Sequence, residues 1–159
     1  MGVAGSGKST IGAMFARALH LAFLEGDDLH PAQNVERMAA GIPLTDDDRR
    51  PWLLAIAGQL RDAQRAGMGL VVACSALKRG YRDLLRSVGA ADVRFVYLTG
   101  TRVILAERLA NRRGHYMPAA LLDSQLATLE EPAADEHAWV CDISQPPEAV
   151  VADLVKRAA

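Results

Sequence analysis

The sequence predicts an α/β fold in which a parallel sheet carries helices on both faces. Short apolar runs alternate with segments of helical periodicity along the chain, as expected when a crossover helix follows each parallel strand. The run at residues 69–74 is apolar at nearly every position, which is typical of a strand covered on both faces. The 159 residues correspond to one domain with a substantial core, so we treat 1–159 as a single unit.

The individual elements follow from the spacing of the apolar residues. A first helix begins after Ser9, because Ile11, Met14 and Phe15 then share one face. A last helix begins at Pro146-Pro147, where proline suits the first turn. We expect irregular chain between residue 114 and the last strand. The remaining predictions are strands at 21–24, 69–74, 93–98 and 138–143 and helices at 49–66, 78–88 and 101–113.

Composition and charge exclude several classes of protein. Half of the residues are apolar, which excludes a disordered chain. Eighteen basic and nineteen acidic residues give a net charge of −1, so we expect neither nucleic acid nor an anionic membrane as a partner. Two cysteines make no disulfide framework, and there is no apolar run of 18 residues, so we expect a cytoplasmic protein.

The segment Gly2–Ser9 matches the pattern G-x-x-x-x-G-K-[ST] in full. Its glycines allow successive backbone N–H groups to point at phosphate oxygens, and the helix that follows adds its positive end. In this pattern Lys8 reaches the β- and γ-phosphates of a nucleotide, and the Ser9 hydroxyl binds Mg²⁺. The predicted nucleotide-binding residues are Gly2, Gly5, Ser6, Gly7, Lys8, Ser9 and Thr10.

A strand normally precedes such a loop, but here Met1 alone stands before Gly2. We therefore expect a break in the sheet beside the loop, with unpaired backbone groups on both sides of it. We also expect the natural chain to start several residues upstream with a short apolar strand. Without that strand, stability and activity should be low.

Two carboxylates, Glu25 and Asp27, follow the predicted strand 21–24, at the edge where α/β sheets bind ligands. They lie two residues apart and share a face if the chain is extended. One could help to hold Mg²⁺ while the other accepts a proton from a substrate hydroxyl, as phosphoryl transfer requires. The alternative is a solvated acidic turn.

The stretch from about residue 27 to 52 is polar and interrupted by glycine and proline, and we predict that it binds the substrate. Asp46 and Asp48 could contact a ligand, or they could cap the next helix and suit its dipole. His30 could equally be a surface histidine, and Trp52 is more typical of a core.

Three stretches of this sequence resemble the gluconokinases, which are sugar-acid kinases with a phosphate-binding loop, related to shikimate and adenylate kinases. They are Leu-Glu-Gly-Asp-Asp-Leu-His-Pro at 24–31, Gly-Ile-Pro-Leu-Thr-Asp-Asp-Asp-Arg-Arg-Pro-Trp-Leu at 41–53 and Ala-Cys-Ser-Ala-Leu-Lys-Arg-Gly-Tyr-Arg-Asp at 73–83. The resemblance covers nearly the whole chain. It implies a three-layer fold with a short lid at about 114–132, and ATP-dependent conversion of D-gluconate to 6-phospho-D-gluconate in a homodimer.

The resemblance also implies the role of each site residue. Asp27 would be the base, Arg108 would stack on adenine, and Arg112 would stabilise the charge that develops at the transferred phosphoryl group. Glu25, which stands where many members carry Asp, would help Ser9 to hold Mg²⁺. The substrate-binding residues would be Asp27, His30, Asp48, Arg49, Lys78 and Arg82.

The residues alone leave other readings open. Lys78 and Arg82 could be an i, i+4 pair on a solvated face, and Arg108 and Arg112 could simply favour a helix C-terminus. The protein could phosphorylate another small hydroxy acid or a nucleoside monophosphate. It could also bind ATP without turnover. A GTPase switch is not indicated, because the sequence has no N-K-x-D pattern.

Overall fold

The computed structural model describes residues 1–111 and 119–159. Within these residues there are seven α-helices and four β-strands, with at least one helix between successive strands, and the α/β prediction is confirmed. The strands are β1 Ala22–Glu25, β2 Leu70–Ala73, β3 Val96–Thr99 and β4 Trp139–Asp142. The helices are α1 Lys8–Ala18, α2 Ala32–Ala39, α3 Asp46–Arg65, α4 Arg79–Leu84, α5 Arg102–Ala110, α6 Ala119–Thr128 and α7 Pro147–Ala158.

The strands form two parallel pairs. β1 lies beside β2, with Glu25 opposite Ala73, and β3 lies beside β4, with Thr99 opposite Asp142. Because the pairs are parallel, the carboxyl ends of the strands in each pair meet at one edge, where ligands bind in α/β proteins.

The first two residues of the chain lie between β2 and β3. The Gly2 N–H donates to the Ser75 carbonyl at 3.2 Å, and the Leu98 N–H donates to the Met1 carbonyl at 3.0 Å. In the described part of the chain β2 and β3 do not pair with each other. Met1 and Gly2 bond to Leu98 and Ser75 on the two sides, so the backbone groups that were expected to be unpaired there are partly paired. An apolar cavity of about 380 Å³ lies there, lined by residues of both strands.

The hydrophobic core has two clusters of buried residues. The first gathers buried residues of α1, α5, α6 and α7, and the second gathers those of α3 and α4. The first cluster includes Val3 of the phosphate loop, so the loop is anchored by the core. The largest fully buried apolar side chains of these clusters are those of Trp52, Leu53, Ile56, Leu77, Leu85, Leu105, Leu122, Ile143 and Leu154.

Local sequence explains where several helices begin. Thr45 and Asp48 form a capping box, in which each side chain accepts a hydrogen bond from the other residue's backbone N–H. α3 therefore starts at Asp46, earlier than the predicted residue 49. Thr101 caps α5 through the N–H of Ile104, and α7 has proline in its first turn.

Two helices were not predicted. α2 lies in the polar stretch that we predicted to bind substrate, and α6 occupies most of the expected irregular lid. The part of that lid at 114–118 falls outside the described residues. Among the described residues, none of the helices combines the length and apolar character needed to cross a bilayer.

Candidate active site

The phosphate loop leads directly into α1. Gly5 and Gly7 have φ of 80° and 87°, a left-handed conformation that glycine adopts without strain. The Lys8 ammonium folds back over the loop and donates to the Val3 carbonyl at 3.0 Å. The Ser6 hydroxyl is buried and has no hydrogen-bond partner within the described ranges. A buried hydroxyl of this kind fits a loop that closes around a polar ligand.

The predicted nucleotide contacts surround this loop. Ser9 and Thr10 are exposed on the first turn of α1, so their hydroxyls are accessible. Arg108 donates to the Ile143 carbonyl at 2.6 Å, and a methyl group added at Gly7 would lie 3.7 Å from Arg108 Nη1. Arg108 is therefore adjacent to the loop. Arg112 lies outside the described residues.

The two predicted carboxylates lie where β1 ends. Glu25 is the last residue of β1, and Asp27 is exposed in a one-turn 3₁₀ helix, Gly26–Leu29. The Trp52 indole N–H donates to the Gly26 carbonyl at 2.7 Å. A methyl group at Gly26 would clash with the Ala73 carbonyl oxygen, so this turn packs tightly against β2. The turn thus holds Asp27 at the carboxyl edge of the sheet.

His30 stacks on Trp52, with ring centroids 4.2 Å apart. Burial lowers the pKa of His30, the nearby Asp27 carboxylate opposes this shift, and Arg49 adds to it. His30 is therefore mostly neutral at pH 7 and can both donate and accept a hydrogen bond. The structure thus brings Asp27 and Arg49 close enough to His30 to affect its charge, and their contact with substrate stays a prediction.

A second group of charges lies around Asp46. Lys78 donates to both Asp46 carboxylate oxygens, at 2.8 and 2.9 Å, and the Tyr81 hydroxyl also donates to Asp46. The hydrogen bond from Lys78 is the main cause of a lowered pKa at Asp46. Arg49 lies over the Tyr81 ring, 5.9 Å from its centroid, which joins this group to His30.

A pocket of about 420 Å³ opens beside this second group, and its lining includes Asp46, Lys78, Tyr81 and Glu130. That volume is within the usual range for small-molecule sites. The pocket offers cationic, anionic and hydroxyl groups within a short distance, which suits a polyhydroxylated anion.

The structure shows a capping role for Asp48. Its carboxylate completes the capping box of α3 and lies 3.6 Å from Arg37. The backbone hydrogen bond from Thr45 is the main cause of a lowered pKa at Asp48. Of the two alternatives that the sequence left open, the geometry favours the cap.

Arg82 is not placed as the sequence suggested. Its side chain is fully buried and pairs with Glu136, at 2.6 Å from Nε to Oε2 and 2.7 Å from Nη2 to Oε1. A guanidinium held in this way does not face the pocket. The prediction that Arg82 contacts substrate is corrected on this ground, because a buried partner 54 residues away engages it.

No cluster of three or more His, Cys, Asp or Glu side chains that could hold a metal occurs within 1–111 and 119–159. Mg²⁺ does not need such a cage, because it usually keeps several waters and binds substrate phosphates with one or two protein oxygens. The accessible Ser9 hydroxyl beside the loop and the Glu25 carboxylate at the end of β1 are donors of that type. These residues fit Mg²⁺ delivered with a nucleotide.

Sequence reasoning missed one contact at the loop. Gln125 of α6 accepts a hydrogen bond at 2.7 Å from the Ala4 N–H. This contact joins the predicted lid to the phosphate loop. A lone glutamine in a helix gives no sequence signal for such a role.

A glycine-rich phosphate loop begins beside the carboxyl ends of β2 and β3, leads into a helix and adjoins a charged pocket. This fold and site define a small-molecule kinase of the P-loop class. A family model described as an AAA domain matches residues 1–132.

Individual relatives narrow this class. The thermoresistant gluconokinase of Escherichia coli K12 is 48% identical, over 98% of this chain and 89% of its own length. A gluconokinase from Sinorhizobium meliloti 1021 superposes with a TM-score of 0.87 at 45% identity, covering 99% of this chain and 92% of its own. An unliganded sugar kinase from Janibacter sp. HTCC2649 has a TM-score of 0.92 at 46% identity, with 98% and 90% covered. The chain belongs to the gluconokinase family.

Proposed function

We propose that this protein transfers the γ-phosphoryl group of ATP to D-gluconate and forms ADP and 6-phospho-D-gluconate. The observation that carries the proposal is the charged pocket of about 420 Å³ that contains Lys78 and Asp46, in a chain that also has a complete phosphate loop. Gluconate has one carboxylate and several hydroxyls. It therefore needs a cation at one end and hydrogen-bond acceptors along its length, and the pocket supplies both.

The nucleotide is assigned to the phosphate loop and its neighbours. Backbone N–H groups of the loop and the Lys8 ammonium would bind the β- and γ-phosphates, and Arg108 beside Gly7 would contact the base. In the family pattern Arg112 would stabilise the charge of the transferred group, and this role stays a prediction. The Ser9 hydroxyl and the Glu25 carboxylate would hold Mg²⁺, which would neutralise charge on the phosphates.

The sugar acid is assigned to the side chains of Asp27, His30, Arg49 and Lys78. Lys78 and Arg49 would bind its carboxylate, and neutral His30 would bind a hydroxyl. The Asp27 carboxylate would accept the proton of the reacting hydroxyl while that oxygen attacks the γ-phosphorus and the bond to the β–γ bridging oxygen breaks. ADP then leaves with the bridging oxygen.

The proposal also covers assembly and location. We expect a homodimer in the cytoplasm, and two free, buried cysteines, Cys74 and Cys141, agree with a reducing compartment. Light scattering coupled to size-exclusion chromatography would measure the mass in solution. A mass near 17.1 kDa would contradict the dimer.

The direct test is ADP release from the wild-type protein, measured with gluconate, shikimate and AMP as separate acceptors. We expect turnover with gluconate and little with the other two. Equal turnover with AMP, or nucleotide binding with no turnover on any acceptor, would overturn the proposal. Lys78→Ala should raise the KM for gluconate and leave the KM for ATP nearly unchanged, whereas Lys156→Ala, on α7, should change neither.

A further inference from the structure

The buried pair of Arg82 and Glu136 connects two parts of the chain that border the pocket. Their side chains are 0% and 1% exposed. Arg82 also donates through Nη1 to the carbonyls of Ala76, Leu77 and Glu130, at 3.1, 3.3 and 3.0 Å. One guanidinium therefore holds the turn before Lys78 and the segment after α6 at the same time.

Other contacts act on the same turn. The Glu130 N–H donates to the Leu77 carbonyl at 2.8 Å, and the Glu130 carboxylate accepts from the Arg79 N–H, at the start of α4, at 2.7 Å. Ala76 has φ of +44°, a conformation that a residue other than glycine or asparagine adopts at a cost. A turn of this kind needs its surroundings to hold it in place.

Stability alone does not explain why a charged pair occupies this position. Taking two charges out of water is costly, and hydrophobic residues of similar volume are often as good or better for stability. Hydrophobic residues, however, could not donate to three carbonyl groups. What the pair adds is a fixed backbone at Ala76 and Leu77, immediately before Lys78.

We propose that Arg82 and Glu136 are positioning residues that fix the Lys78 ammonium for the carboxylate of the sugar acid. This inference rests on the proposed function, because it takes Lys78 as the group that meets the substrate. Arg82 itself does not touch the substrate. Loss of the pair should therefore weaken the use of gluconate more than the use of ATP.

The test compares Arg82→Lys with wild type by steady-state kinetics, varying gluconate and ATP separately. Lysine keeps the charge but cannot bond to Glu136 and three carbonyls together. We expect the KM for gluconate to rise about tenfold, which corresponds to roughly one misplaced charge-assisted hydrogen bond, with the KM for ATP within about twofold. Arg157→Lys, which alters an exposed pair with Asp153 on α7, is the matched control and should change neither constant.

The outcomes distinguish a positioning role for the pair from a purely structural one. Equal KM values in Arg82→Lys and wild type, or a parallel loss for both substrates, would show a purely structural role and overturn the inference. If Arg82→Lys does not fold, Glu136→Gln tests the same pair from its other side, because glutamine keeps the size of the side chain and removes its charge. A selective rise in its KM for gluconate supports the inference, and unchanged values overturn it. A wild-type protein that does not use gluconate overturns the proposed function instead.

Discussion

Replacing Gly5 by alanine should disrupt the phosphate loop through both backbone strain and steric overlap. Gly5 has φ of +80°, which an L-residue adopts with strain. An added methyl group would also lie 2.8 Å from the Leu105 carbonyl oxygen and 3.0 Å from Leu109 Cγ. The carbonyl belongs to the backbone of α5 and cannot rotate away, so the loop itself has to move.

The expected cost is the sum of these two effects. Left-handed backbone costs an L-residue about 1–2 kcal/mol, and overpacking a tight site costs about 1–3 kcal/mol more. Gly5→Ala should therefore lower the free energy of unfolding by about 2–5 kcal/mol. Because the loop has to move, the affinity for ATP should fall by about tenfold or more, equivalent to the loss of at least one phosphate hydrogen bond.

Two other glycines serve as controls. Gly67 has φ of +65° with no neighbouring atom of the described chain within 4 Å of an added methyl group, so Gly67→Ala isolates the strain. Gly80 in α4 has equally open surroundings without the positive φ, and Gly80→Ala should be neutral or stabilising by up to about 1 kcal/mol.

Urea unfolding and titration calorimetry with ATP would measure the three variants. The expected order of unfolding free energy is Gly80→Ala highest, then Gly67→Ala, then Gly5→Ala, with ATP affinity reduced in the last alone. If Gly5→Ala matched Gly67→Ala in both stability and ATP affinity, the argument for close packing of the loop on α5 would be refuted.

Three further predictions concern the site and its support. Asp27→Asn should retain ATP affinity and lower kcat by about 10²–10⁴-fold, because it removes the base; unchanged kcat would exclude Asp27 from proton transfer. Lys8→Ala should weaken ATP binding in calorimetry and abolish turnover, and retained turnover would show that the loop does not bind the transferred phosphates. The hydrogen bond from Arg82 lowers the pKa of Glu136 from 4.5 to about 2. The stability that this shift provides, about 3 kcal/mol, is complete above pH 4.5 and is lost as the pH falls towards 2. In Glu136→Gln the free energy of unfolding, measured with urea between pH 6 and pH 2, should fall less with pH than in wild type. An equal fall would contradict the assignment.

Local patterns were sufficient to predict most of the fold. The phosphate loop, α1 and the four strands depend on motif and apolar periodicity, and the structure places each strand within a few residues of its prediction. α2 was missed because it is short and mostly polar, although Ala32, Val35 and Ala39 recur at helical spacing. Val35 and Met38 are exposed, so this face is not part of the core. α6 was missed because the family resemblance predicted an irregular lid in this segment, although the segment contains a run of Ala and Leu.

The candidate site was harder to predict wherever a role depends on a distant partner. Asp27, His30, Arg49 and Lys78 follow strand ends or sit in specific motifs. His30 lies near Asp27 and Arg49, and Arg49 and Lys78 both lie over the Tyr81 ring. Arg82 looks the same in sequence as a solvated cation. Its role depends on Glu136, and a contact between residues 54 positions apart is set by the tertiary fold.

The central claim is that the chain phosphorylates gluconate at the expense of ATP. Phosphorus NMR of wild-type protein with ATP, Mg²⁺ and gluconate tests it most directly, because it identifies the product. The account predicts a new phosphomonoester signal that coincides with added 6-phospho-D-gluconate and grows as the γ-phosphate signal of ATP disappears and ADP accumulates. Inorganic phosphate as the sole new signal, or an unchanged ATP spectrum, would contradict it.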